Sequence, residues 1–171
     1  MKHIILLLFF CTLAFASIKE INSFEADFTQ SITDDKNKTL TYTGHVIASK
    51  PQNALWNYTK PLQKDIYISE FSVTIIEPEI EQVIIRRISS NFDIFKMIKN
   101  AKEIEKDKYL AIYKDIKFNI TTKNNIITSI SYKDEFDNNV KIIFKNQKQN
   151  KEINKEIFYP KIPIDYDIVR D

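Results

Sequence analysis

The sequence predicts an α+β fold that is mainly antiparallel β, with roughly ten to eleven strands curled into a barrel or half-barrel. Three observations carry this expectation. Short segments with apolar–polar alternation recur along the chain, separated by prolines and polar turns. One segment, residues 91–102, breaks that rhythm with helical spacing. Of 171 residues 43% are hydrophobic, enough to bury a core, and neither a linker nor a repeat divides them.

The elements follow in order. Lys2 and His3 precede an unbroken apolar run from Ile4 to Phe10, and Ala14-Phe15-Ala16 offers small residues at the spacing that signal peptidase reads. Residues 1–16 are therefore expected to be a cleavable export signal and 17–171 a single domain. Cys11 lies inside the apolar run behind Leu8-Phe9-Phe10, where bulky rings disfavour lipoprotein processing. Cleavage removes this one cysteine, so no disulfide or thiol chemistry remains. Ser17 to Asn22 can start a short helix with Ser17 as its cap.

Phe24, Ala26, Phe28 and Ile32 then alternate with Glu25, Asp27, Thr29 and Ser31, the pattern of a strand with one buried and one wet face. Asp34 to Lys38 is a polar turn. Leu40 to Ala48 alternates again and holds Gly44, the one glycine of the chain, which suggests a bend or bulge. Further strands are expected at 54–58, 65–69, 72–77, 81–88, 109–113, 116–122, 126–132, 140–145 and 155–158. Lys123-Asn124-Asn125 suits a hairpin, because asparagine tolerates positive φ. In the helical segment Phe92, Phe95, Ile98 and Ala101 share a face, Asn91 is the expected N-cap, and Asp93 favours the first turn. The stretch from Lys145 to Lys155 reads as a solvated basic loop.

The chemistry-bearing residues point away from catalysis. A single glycine excludes the phosphate-cradling loops of dinucleotide and P-loop folds, which need at least two. A formal charge of +2 gives no field for nucleic acid. Removal of the signal leaves His45 as the lone histidine, with no acidic partner at a recognisable spacing. It reads as a solvated strand residue, and neither a metal set nor a nucleophile elbow is present. No cofactor is expected. Asp35-Lys36-Asn37-Lys38-Thr39 fits the acid-x-Asn-x-Thr acceptor of bacteria that N-glycosylate exported proteins. Trp56 and Tyr58 lie two apart and share a face with Ala54.

Phe24-Glu25-Ala26-Asp27-Phe28-Thr29-Gln30 resembles the F-x-A-x-F-x-Q opening of the LolA family of periplasmic lipoprotein carriers. Gly44 to Pro51 is similar to the family's next strand and its basic-Pro turn, and Trp56 to Pro61 resembles its W-x-Y-x-x-P. Glu81-Gln82 and the tail from Phe158 to Asp167 are similar to later family segments, with most of the signal in residues 21–88. The resemblance implies an unclosed half β-barrel with a helical lid over an apolar cavity. It implies a periplasmic carrier that takes lipoprotein acyl chains from a LolCDE-type inner-membrane ABC transporter and passes them to an outer-membrane acceptor, LolB-like or other. The expected carrier is a monomer that acts without nucleic acid and without catalysis.

In that picture Phe28, Ala54, Trp56 and Tyr58 line the cavity, and Phe92, Phe95 and Ile98 form the inner face of a lid over 92–100. Lys50 stands where the family has an arginine that bonds lid backbone carbonyls. Lysine lacks the planar fork of donors, so its gating contact is expected to be looser. Ala54 stands where relatives often have phenylalanine, which leaves extra room. The alternative expectation is an envelope protein that senses lipid or a partner on the same half-barrel without transport. A third, the outer-membrane acceptor, needs a lipid-bearing cysteine at the mature start, where Ser17 stands.

Overall fold

A computed structural model describes residues 18–88 and 93–170. The expected signal at 1–16, Cys11, the Ser17 cap, and Asn91 and Phe92 of the helical segment lie outside these residues. A 3-10 turn at Ile18–Glu20 leads into β1 (Ser23–Thr33), β2 (Thr39–Ser49), β3 (Asn53–Lys60), β4 (Lys64–Ile68), β5 (Ser72–Glu77) and β6 (Gln82–Arg87). Helix α1 (Ile94–Lys99) follows, then β7 (Lys102–Glu105), β8 (Lys108–Tyr113), β9 (Ile116–Lys123), β10 (Ile126–Lys133), β11 (Asn139–Gln149) and β12 (Asp167–Arg170). All twelve strands form one sheet in the order β12-β6-β5-β4-β3-β2-β1-β11-β10-β9-β8-β7. Its two ends do not meet. Every pairing is antiparallel except β12 on β6, which is parallel.

Ten of the eleven expected strands form. The exception is 155–158, a 3-10 turn whose N-cap Asn154 accepts from the Glu156 N–H. Two strands escape the alternation rule, β7 and β12, and both are edges. Their residues are exposed throughout, so no buried face marks them. Charged residues on β7 also protect an open edge. The stretch expected to be a loop from Lys145 belongs to β11 as far as Gln149. A bulge opposite Ala26, with Asn146 at φ 54°, carries the ladder past the change of register.

The helix is shorter than its periodicity suggests. Asp93 caps it, accepting from the Lys96 N–H at 3.0 Å, and Asn100 closes it. Beyond Ala101 the chain is drawn into pairing with β8, so the helical spacing ends where a better set of backbone partners begins. The Asn124-Asn125 hairpin is as expected, with φ of 53° and 62° and Lys123 opposite Ile126.

Gly44 is explained by crowding. A Cβ there would meet the Asn57 carbonyl and stand 2.8 Å from Phe28 Cζ. The ring of Phe28 occupies the space of the missing side chain, and the β2–β3 register shifts beside it. Inward residues of β1–β3 and β8–β11 join Ile18, Ile21 and the buried face of α1 in one core. The helix rests on the N-terminal 3-10 turn and on β8.

Candidate functional site

Between α1 and the inner face of the sheet lies an apolar cavity of about 170 Å³. Ile94, Phe95, Met97 and Ile98 roof it, while Phe24, Ala48, Ala54, Trp56 and Ile68 form one wall. The opposite wall is Phe118, Ile127, Ile130, Tyr132, Ile142 and Phe144. Gln52 and Asn53, at the start of β3, put amides at its rim. Two ring pairs stiffen the lining: Phe24 edge-on to Phe144 at 5.0 Å joins the two walls where β1 pairs with β11, and Phe118 packs against Tyr132 at 4.8 Å.

The residues expected to line the cavity divide into two groups. Ala54 and Trp56 stand on its wall, and Phe95 and Ile98 hang from its roof. Phe28 and Tyr58 lie beyond Trp56, deeper along the sheet. Phe28 meets Trp56 and Tyr58 edge-on, each at 5.0 Å, and Tyr42 packs on Tyr58 at 5.9 Å. The Tyr58 hydroxyl donates to Gln30 Oε1 at 2.9 Å, and Lys64 Nζ lies 4.8 Å from its ring centre. Burial pushes the Tyr58 phenol up to about 12, with Tyr132 and Tyr42 nearby adding to the shift. These rings pack behind Trp56 and do not themselves line the hollow.

Lys50 sits at the turn between β2 and β3. Its ammonium donates to Asn22 Oδ1 at 2.8 Å and its backbone N–H to Asn22 O at 2.9 Å. Asn22 in turn donates its backbone N–H to Asn150 Oδ1. The lysine therefore fastens the segment after the 3-10 turn, and that turn packs beneath α1. No described bond joins Lys50 to the carbonyls of α1; its partner is Asn22.

The second wall was not named from the sequence as part of a site. Phe118, Ile130, Ile142 and Phe144 belong to the stretch 100–150, where family motifs are faint. Their alternation alone marks them as inward, and inward residues on strands facing the helix line the hollow.

His45 is a strand residue on the wet face, as its sequence reading has it, but it has an acidic partner that reading lacks. Cross-strand pairing puts it opposite Asp27, with Nδ1 2.7 Å from Asp27 Oδ1. Asn146 Nδ2 donates to the other Asp27 oxygen at 2.7 Å, and Lys148 Nζ donates to Glu25 at 2.8 Å. The acidic partner is eighteen residues away, a separation that only register reveals. Hydrogen bonds from Asn146 and then His45 hold the Asp27 carboxyl below its usual range. The cluster lies on the wet face of the sheet, away from the cavity. Among the described residues no group of three or more His, Cys, Asp or Glu is placed to hold a metal ion.

A model of the family described as outer membrane lipoprotein carrier protein LolA matches residues 19–107. An outer-membrane lipoprotein carrier protein of Campylobacter jejuni is 44% identical over 99% of this chain and the whole of its own. One from Wolinella succinogenes is 32% identical over 92% of each chain. Among solved structures, a conserved protein from Thermus thermophilus superposes with a TM-score of 0.54 at 11% identity, covering 90% of this chain and 93% of its own. That likeness concerns the fold. With an open sheet, a helix-roofed apolar hollow, a family model over residues 19–107 and relatives that cover more than nine-tenths of its length, the chain belongs to the LolA family of outer-membrane lipoprotein carrier proteins.

Proposed function

We propose that this protein ferries lipoproteins through the periplasm, taking their acyl chains into the hollow beneath α1 at the inner membrane and releasing them at the outer membrane. The family is one of carriers, and shielding a lipid from water needs no catalytic group. The observation that supports the reading is the apolar hollow itself, roofed by a helix of only six residues.

Magnitudes make the helix the part that moves. The hollow is close in size to the ~150 Å³ cavity that admits benzene, so the closed form has room for part of one acyl chain. Loading a lipoprotein anchor requires the roof to lift. Phe95, Met97 and Ile98 are buried, and exposing them costs roughly 2 kcal/mol each, about 6 kcal/mol together. An acyl chain gains about 0.8 kcal/mol per buried methylene, so about eight methylenes offset the cost. Cargo with several long chains exceeds that threshold, whereas an empty carrier stays shut and soluble. The balance also keeps release feasible, because the roof falls back as chains leave.

In this reading Ala54 and Trp56 touch the chains, Phe95 and Ile98 exchange sheet for lipid, and Lys50 sets how firmly the helix support is held. The donor would be a LolCDE-type transporter and the acceptor a LolB-like or other outer-membrane receptor, with the carrier acting as a monomer. The test is release from spheroplasts that hold the transporter. The protein without residues 1–16 should bring inner-membrane lipoproteins into solution as a complex. No release, with a functioning carrier alongside as control, refutes the proposal. Lys50→Leu should speed uptake of a fluorescent fatty acid, and an unchanged rate would reduce Lys50 to a turn residue.

A further inference from the structure

The hairpin joining β1 and β2 holds a motif that lipid carriage leaves unused. The sequence has three Asn-x-Thr triplets, at Asn37, Asn57 and Asn119. Only the first has an acid two residues ahead, Asp35; Leu55 and Lys117 hold that place before the others. The fold separates them in the same way. Asn57 sits within β3 and its amide donates to the Asp65 carboxylate. Asn119 lies in the middle of β9, paired to Leu110 on one side and Ser131 on the other. Asn37 is on the turn, where residues 35–39 are all exposed.

The shape of that turn does not account for the motif. Asp34 Oδ1 accepts from the Lys36 and Lys38 N–H groups, and Asn37 takes a φ of 60°. The loop at 134–138 repeats this arrangement: Asp134 Oδ1 accepts from Phe136 and Asn138, and Asp137 takes a φ of 62°. Aspartate therefore serves at the left-handed position, and the turn needs no amide there. Among the described residues the Asn37 side chain has no hydrogen-bond partner, so its nitrogen is free to react.

We propose that Asn37 is an N-glycosylation site, modified after export by a bacterial oligosaccharyltransferase that reads Asp35 and Thr39. Asn37 Nδ2 attacks the anomeric carbon of an oligosaccharide carried on a polyprenyl diphosphate. An N–C bond forms, the bond from that carbon to the diphosphate oxygen breaks, and the polyprenyl diphosphate departs. One amide proton passes to a base of the transferase, and nothing is oxidised or reduced. Residues 33 and 39 pair at one end of the β1–β2 hairpin, and 23 and 49 at the other, beside the cavity rim at Gln52 and Asn53. Eleven-residue strands put these ends about 30 Å apart. A glycan on Asn37 leaves the roof and the rim clear.

This inference rests on export and is independent of the cargo. The test is to express the full chain, N-terminal segment included, in a host that carries such a transferase, its lipid-linked glycan and a known acceptor protein. Intact mass should show one added glycan, with none on Asn37→Gln and at least ten-fold less on Asp35→Ala. Glycopeptide sequencing should place it at residue 37, and the modified and bare proteins should bind a fluorescent fatty acid within two-fold of each other. An unmodified chain beside a modified acceptor, or glycan persisting on Asn37→Gln, overturns the proposal.

Discussion

If the rings beyond Trp56 form the floor of the hollow, removing Phe28 should deepen it. The substitution is Phe28→Ala. Phe28 is 3% exposed, so its loss should cost about 3–5 kcal/mol of stability and lower Tm by roughly 6–20 °C. Its vacated space adjoins Trp56 and is about the size of a benzene ring, room for roughly three methylenes of a chain. Each further methylene buried is worth about 0.8 kcal/mol, close to four-fold in affinity, so three give on the order of 60-fold. The assay is displacement of a fluorescent probe by saturated fatty acids of increasing length. For the parent protein affinity should stop rising once the chain reaches the floor. For the variant the rise should continue by about three carbons. A plateau at the same length, in a variant that still unfolds cooperatively, would refute the floor. Failure of the parent to bind any fatty acid would instead strike at the carrier reading.

Three further outcomes are expected. Gly44→Ala forces a methyl against the Asn57 carbonyl and Phe28, which should cost about 3 kcal/mol or more and at least about 6 °C in Tm; adding Phe28→Leu should restore little, since the carbonyl obstruction stays. Ile98→Ala weakens the closed roof, and a loss of about 2 kcal/mol there should raise the open fraction, and with it stopped-flow uptake of a fatty acid, about 30-fold; uptake within two-fold of the parent would mean that α1 does not limit loading. The Tyr58 phenol titrates near 12 when folded and near 10.0 when unfolded, so its protonated form supports the fold fully below pH 10 and that support is lost as pH rises towards 12. Denaturation across this range should show a fall in stability that Tyr58→Phe reduces, and an identical fall in the variant would remove Tyr58 as a cause.

How legible the molecule is from its residues depends on what each residue faces. Phe24, Ala26 and Phe28 reveal a strand because alternate positions enter a core. Ile168 and Val169 reveal nothing, because β12 is held by backbone pairing to β6 and has no buried face. The helix is half legible. Phe95 and Ile98 show the spacing, but its boundaries depend on Asp93 as cap and on β8 as a competing partner for Lys102. Trp56 and Tyr58 look equivalent in sequence, both inward on β3. Only the packing of Phe28 over Gly44 and against Tyr58 distinguishes Trp56, which lines the hollow, from Tyr58, which does not. The Asp27–His45 pair is invisible without register, since no local spacing relates the two strands.

The route of the chain from β6 to β7 gives the helix a second meaning. β6 lies next to one margin of the sheet and β7 is the other, so in sequence α1 stands between strands from opposite ends of the sheet. Only residues 100 and 101 separate α1 from β7, so lifting the helix would pull directly on that margin.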